Sequence, residues 1–342
     1  MTDTTPRAAV PTLDEVAVLA GVSRATVSRV VNDSPRVSPE AREAVRSAIA
    51  ELRYVPNRMA RSLVTRRTDT IALVLNEPNT QVFSDPFFAS IVRGVSATLA
   101  DTDLNLVLLT AQDEREQQKI GRYARLGHVD GVILMSVHSD DPLPDILAEA
   151  GVPLVMCGRP FDDRAVAFVD ADNRGGAEVA TAHLIATGHR RIATITGPLD
   201  MIAGVDRLAG HRAALAAAGL RTFPELEAEG DFTEAGGARA MESLLGRDPE
   251  LDAVFVASDP MAVGALSALR RAGRRVPDDV AVVGFDDAAV ATRCDPPLTT
   301  IAQPLADMTP LLTELLLRQI EGVGEAVESR VCRTSLVRRA SA

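Results

Sequence analysis

Tryptophan is absent from these 342 residues, and the other aromatic residues are nine Phe and two Tyr. A local concentration of rings therefore stands out. Lysine is almost missing as well: Lys119 is the only one among 36 Lys plus Arg. Cys157, Cys294 and Cys332 are odd in number and far apart. They exclude a disulfide frame and a zinc site, and fit reduced thiols in a cytoplasmic protein. The five His show no metal-ligand spacing. No apolar run approaches the length of a membrane span, and Met1 to Val10 lacks a charged start followed by an apolar core. No export signal is read there, and no membrane partner is expected. No G-x-G-x-x-G follows the first predicted strand, where Asn76-Glu77-Pro78 stands instead. Neither a P-loop nor a Ser-His-Asp arrangement stands out. These absences argue against an enzyme, and no cofactor or metal is expected.

The length suggests two or three domains. The net charge of −11 looks wrong for a nucleic-acid partner until it is divided along the chain. Residues 1–70 carry +3 and the remainder −14. A basic end can meet phosphates while an acidic body discourages non-specific wrapping.

The basic end contains three predicted helices. Thr12 and Glu15 form a capping box, and Leu13, Val16, Ala17 and Ala20 make a helical stripe. Gly21 ends that helix, and Ser23 caps the next. In the second helix Val27, Val30 and Val31 share one side, leaving Arg24, Ala25, Ser28, Arg29 and Asn32 on the other. Two Arg, small residues and Asn suit base edges better than a protein core. Ser38-Pro39-Glu40 opens a third helix, whose Ala41, Val45, Ala48, Ile49 and Leu52 can close a three-helix core. Helix, glycine turn, helix is the helix-turn-helix arrangement.

From Thr12 to Leu63 the sequence TLDEVAVLAGVSRATVSRVVNDSPRVSPEAREAVRSAIAELRYVPNRMARSL resembles the DNA-binding headpiece of LacI/GalR-type transcriptional repressors. The resemblance implies a headpiece over 1–56, a hinge helix and linker over 57–68, and an effector-binding and dimerisation domain over 69–342. Arg24, Ala25 and Arg29 are expected to read bases, with Thr26, Ser28 and Asn32 on phosphate or flanking bases. Ser23, Tyr54 and Asn57 complete the expected headpiece contacts. Arg58 to Val64 is long enough for two helical turns, too short to be stable alone. In the family such hinges pair across a dimer in the minor groove and a Leu wedges into the central step. Leu63 takes that place here, and Ala60 is small enough for close approach.

After Thr68-Asp69 the pattern changes to apolar strands alternating with helices, in two series divided near Asp170. That pattern predicts parallel sheets covered on both faces. The expected fold is α/β: a three-helix headpiece plus two Rossmann-like subdomains, similar to periplasmic binding proteins. Chain crossings between the halves are expected near Phe168, near Pro296-Pro297 and near Glu321–Gly324. Glu328 to Arg339 reads as one final strand. Gly175-Gly176 and Gly236-Gly237 fall inside predicted helices, where close packing accounts for them. No leucine heptad follows the last strand, so a homodimer reading a pseudo-palindromic operator is expected.

Ligands of open α/β sheets bind beyond the carboxyl ends of the strands. Glu77, Phe83, Asp85 and Phe87 lie at such an end, and three Phe within six residues make an aromatic patch. Rings suit the C–H faces of sugars, and carboxylates suit hydroxyls. One of Phe87 and Phe88 is expected in the core. By resemblance, Arg207 and Asp286 would hold sugar hydroxyls, Phe232 would stack, and Ser258 and Asp259 would line the cleft. Ser258 stands where sugar-responsive members often carry Asn, and Met135 and Cys157 replace polar residues of the lactose-responsive type. The stretch EPNTQVFSDPFFASIVRGVSATLADTDLNLVLL looks closer to cellobiose-responsive members. The expected function is a cytoplasmic repressor of carbohydrate-utilisation genes, released from its operator by cellobiose or a related β-glucoside. The alternatives are a co-repressor-dependent regulator binding a purine or sugar phosphate, and a sugar-binding transport protein.

Overall fold

The computed structural model describes residues 11–31, 36–54, 67–162, 164–323 and 327–342. The chain divides into two compact units, Met1–Thr68 and Asp69–Ala342.

In the first unit, α1 (Leu13–Ala20), α2 (Arg24–Val31) and α3 (Pro39–Leu52) start and stop where local chemistry dictates. The Thr12 hydroxyl accepts the Glu15 N–H, and the Glu15 carboxylate accepts the Thr12 N–H at 2.7 Å, closing the capping box. Gly21 ends α1 at φ 65°, a left-handed turn that costs glycine nothing. Ser23 Oγ then takes the Thr26 N–H at 3.1 Å and opens α2. Val16, Val27 and Val45, one from each helix, are fully buried together.

The second unit holds two six-stranded sheets. The first comprises β1 (Thr70–Leu75), β2 (Asn105–Thr110), β3 (Gly131–Met135), β4 (Leu154–Cys157), β5 (Ala167–Ala171) and β11 (Ser329–Cys332). They run parallel in the order β11-β5-β4-β3-β1-β2. The second comprises β6 (Ile192–Thr196), β7 (Glu227–Glu229), β8 (Ala253–Val256), β9 (Ala281–Asp286), β10 (Thr299–Ala302) and β12 (Ser335–Val337). Its order is β12-β10-β9-β8-β6-β7, with only β12 antiparallel among the pairs formed. Both faces of each sheet are covered. Ile71, Leu73 and Leu75 of β1 join one apolar cluster while Ala72 and Val74 join another on the opposite face. That is why the central strands are apolar without alternation.

A close helix contact accounts for Gly237, while a Cβ on Gly176 would meet the Thr334 and Phe285 side chains and one on Gly175 or Gly236 a carboxylate of Asp172 or Asp231. A Cβ on Gly237 would sit 2.1 Å from the Met261 carbonyl, and one on Gly264 1.9 Å from the Glu234 carbonyl. Helices Glu234–Arg247 and Asp259–Arg271 therefore meet backbone to backbone.

The crossings differ from those expected. β5 remains in the first sheet through Ala171, so the first crossing falls at Asp172 rather than near Phe168. The second follows β10, at Gln303-Pro304, because Ile301 still pairs with Phe285 in the second sheet. Pro296-Pro297 only leads into that strand. Helix Leu305–Glu321, not anticipated from the sequence, then lays Met308, Leu312, Leu315 and Leu316 under the first sheet. The third crossing is at Arg333-Thr334, because β11 pairs with β5 and β12 with β10. The expected single terminal strand is thus two strands in two sheets.

Candidate functional site

In the headpiece, α2 turns Arg24, Ala25 and Arg29 to solvent and Val27 and Val30 to the core. Ser23 is exposed, and Thr26 and Ser28 are half-buried. Arg24 lies 3.6 Å from Asp14, with both side chains about two-thirds exposed. An exposed pair of this kind contributes about 0–1 kcal/mol, so Arg24 can exchange it for another partner. Tyr54 corrects the expectation: it is 7% exposed and packs with the headpiece core where α3 ends, its N–H donating to the Ile49 carbonyl at 3.0 Å. Asn32, Asn57, Ala60 and Leu63, together with residues 57–66 of the hinge and linker expected over 57–68, lie outside the described residues.

The second site is a cleft of about 110 Å³ in the body, where carboxyl ends of strands from both sheets meet. In each sheet the chain reverses its direction of progress beside the first strand, between β1 and β3 and between β6 and β8. Such switch points leave a crevice for a ligand. Glu77, Asp85, Phe87, Met135, Cys157 and Arg159 line it from the first half. Arg207, Phe232, Ser258, Asp286 and Gln303 line it from the second.

Arg207 is the best-anchored group in the cleft. Only 5% of it is exposed. Its guanidinium stacks 3.7 Å above the Phe285 ring, donates to Asn173 Oδ1 at 2.9 Å and to the Ala257 carbonyl, and stands 3.6 Å from Asp286. Burial pulls its pKa below the ordinary value, and Asp286 opposes that most. It makes no surface pair with Asp206. Asp206 instead receives a two-pronged bond, at 3.0 and 2.6 Å, from Arg159 of the opposite half.

Burial pushes Asp286 up to about 7, against the attraction of Arg207, and pushes Asp170 up to about 6. Asp85 is raised for the same first reason. Both guanidiniums are already paired, so the cleft offers a ligand mainly carboxyl oxygens and rings. Hydroxyl donors would satisfy those oxygens.

Two site expectations need correction. Phe83 is 77% exposed on the short helix Asn79–Ser84 and does not line the cleft; Gln81 does. Phe87 lines it partly exposed, while Phe88 is the core member, 4% exposed and edge-on to Phe87 at 5.8 Å. Asp259 is fully buried behind the cleft. It accepts the Thr300 hydroxyl at 2.6 Å and the Ala288 N–H at 2.7 Å. These bonds brace the turn in which Asp286 and Asp287 hold φ of 112° and 53°, a backbone that non-glycine residues adopt at a cost. Ser258 caps the following helix by accepting the Met261 N–H at 3.3 Å, and also lines the cleft. Arg159, Asp170, Asn173 and Gln303 were missed. Each stands at or just past a strand end, so the strand-end rule reaches them once those strands are placed.

A helix-turn-helix unit joined to a two-lobed α/β body with a polar cleft defines a class: DNA-binding regulators governed by a small ligand. Residues 12–57 match the bacterial regulatory proteins of the lacI family, and residues 181–342 match the periplasmic binding protein-like domain. The chain belongs to the LacI family of bacterial regulatory proteins. It is 53% identical over 333 residues to the HTH-type transcriptional regulator CelR of Thermobifida fusca, covering 97% of this chain and 98% of that one. It is 39% identical over 312 residues to the ribose operon repressor of Escherichia coli (strain K12), covering 90% and 93%. Among solved structures it is similar to a transcriptional regulator CelR–cellobiose complex, with TM-score 0.79, 51% identity, and coverage of 97% and 100%. It is also similar to a lac repressor dimer bound to operator and the anti-inducer ONPF, with TM-score 0.84, 28% identity, and coverage of 97% and 99%.

Proposed function

We propose that this protein is a dimeric transcriptional repressor of carbohydrate-utilisation genes, released from a pseudo-palindromic operator by cellobiose or a close β-glucoside. The observation that carries the ligand class is the cleft itself. Its Arg side chains are neutralised within the protein, its free acceptors are carboxyl groups, and Phe87 and Phe232 flank them. A neutral polyhydroxyl compound satisfies that wall; a phosphate group meets carboxylates. The similarity to a cellobiose-bound regulator supports the same choice. Arg24, Ala25 and Arg29 read bases, and Thr26, Ser28 and Ser23 hold the backbone of the DNA. Effector in the cleft changes the relation of the two halves, and the dimer shifts to a population with low operator affinity. The coupling is reciprocal, so operator weakens effector binding by the same factor.

The test is a thermal-shift series with cellobiose, other disaccharides, sugar phosphates and purines, followed by operator release with each compound that binds. A ligand at 100 times its Kd stabilises by about 2.7 kcal/mol, a rise on the order of 5 °C for a body of this size. Cellobiose is expected to give that rise and to release operator. A flat response to sugars with a rise from purines or phosphates overturns the ligand class.

Gly197→Ala supplies a local check. A Cβ at Gly197 would lie 2.2 Å from the Phe232 ring. The Phe232 ring must turn aside to make room for that Cβ. Loss of one ring stack, about 0.5–1.5 kcal/mol, is expected to weaken cellobiose binding up to about tenfold by calorimetry. Unchanged affinity would remove Phe232 from the ligand contacts.

A further inference from the structure

The cleft is tied across its mouth by a histidine that no sequence pattern singled out. His138 follows β3, in the first half. Its Nδ1 lies 2.8 Å from Asp200 Oδ2, and its Nε2 lies 3.3 Å from Glu77 Oε1. Asp200 follows β6, in the second half, and Glu77 follows β1, in the first. The backbones are joined at the same place: the Ser139 N–H donates to the Asp200 carbonyl at 2.8 Å, and His138 forms a bridge with Met201. Glu77 is 5% exposed and lines the cleft, so His138 fixes a ligand-facing carboxylate while reaching the opposite half.

Ionised carboxylates only accept hydrogen bonds. A ring with a carboxylate on each nitrogen must donate from both, and is therefore an imidazolium. We propose that His138 is a positioning residue whose bound proton clamps Glu77 to Asp200, so that closing the cleft, and holding the effector, requires that proton.

The charged groups around it agree. Glu77 faces the ring from the loop after β1, Asp200 from the loop after β6, and Asp141 from the ring's own loop. Asp141 is also attracted to Arg164, and it accepts from Gln117 and Asn76. The bond to Glu77 and then that to Asp200 raise the ring from 6.5 to about 9, against burial. The sign follows. A raised value in the closed form means that the clamp is complete below the ordinary value and is lost as pH rises through about 9. Opening removes Asp200 but leaves Glu77. A second tie between the halves, Arg159 to Asp206, keeps its charge throughout this range and supplies a control.

The effector arm rests on the cellobiose reading, whereas the ring's own titration does not. Calorimetric titration with cellobiose at pH 7 and pH 9.5 is expected to show affinity falling about tenfold in the native protein, one pKa unit of differential protonation. In His138→Gln the affinity should be weak and equal at both values. In Asp206→Asn it should be weaker but keep the tenfold fall. Equal pH dependence in the native protein and His138→Gln overturns the clamp. Alongside, the NMR signal of the imidazole Cε1–H that disappears in His138→Gln should titrate above 6.5 without ligand, near 9 with the cleft closed on cellobiose, and lower in Asp200→Asn. A midpoint near 6.5 overturns the proposal even if cellobiose binds. If cellobiose fails to bind at any pH, the effector reading fails, and this titration alone decides the clamp.

Discussion

Arg207→Met should give a repressor that holds its operator and ignores cellobiose. The substitution removes the cation that faces Asp286 at 3.6 Å and the donor to Asn173. Breaking one side of a buried pair costs about 3–5 kcal/mol, because the remaining charge has no counterpart. Asp286 can reduce that cost by taking a proton, since burial already places it at about 7. Chemical denaturation should show the stability loss, with the fold kept. The ligand also loses. Arg207 holds the Asp286 carboxyl group that the ligand meets, and a hydrogen bond to a charged group contributes about 1.5–3 kcal/mol, so its loss amounts to about tenfold or more in cellobiose affinity. Operator binding without effector is expected to stay within a few-fold of native, because α2 and its core belong to the other compact unit. Normal release of operator at ordinary cellobiose concentrations would place Arg207 outside the ligand site.

Arg24→Ala should produce the largest change at the DNA. Arg24 gives up only an exposed contact to Asp14 when it meets a base. A two-pronged bond to guanine contributes about 1–3 kcal/mol of discrimination. A dimer presents the residue twice, so the operator should lose about 2–6 kcal/mol, confined to one base pair in each half-site. Binding to a set of operators substituted one pair at a time reads this directly. Preference should vanish at that pair and persist at the others. A uniform loss over the whole set, with a shallower salt dependence, would instead mark Arg24 as a phosphate contact.

The headpiece was legible in the sequence because its signals are local. Thr12 with Glu15, Gly21, Ser23 and Ser38-Pro39 each act within one turn of chain, and the structure uses each of them. The alternation of strands and helices was legible for the same reason. The crossings were not, because they depend on which sheet accepts a strand. Nothing in Ser329–Cys332 and Ser335–Val337 says that one joins β5 and the other β10. In the cleft, motifs pointed to Arg207, Phe232 and Asp286. His138 and Arg159 escaped notice because their partners lie 62 and 47 residues away, at no spacing that a helix or strand imposes. Phe83 misled for the opposite reason. Three rings in a short stretch look like one patch, yet the helix Asn79–Ser84 gives Phe83 to solvent.

The three crossings bear on the order in which the parts of the molecule come into being. The headpiece helices are one continuous stretch, complete once Leu52 has been made. The first half of the body is not continuous: it needs helix Leu305–Glu321 and β11 as well as β1 to β5. During synthesis, domains fold as units from the amino terminus onward. A growing chain therefore owns its headpiece for most of its synthesis, but completes the two sheets of the body only when β11 and then β12 have been added. The cleft between the two halves is the last part of this chain to be completed.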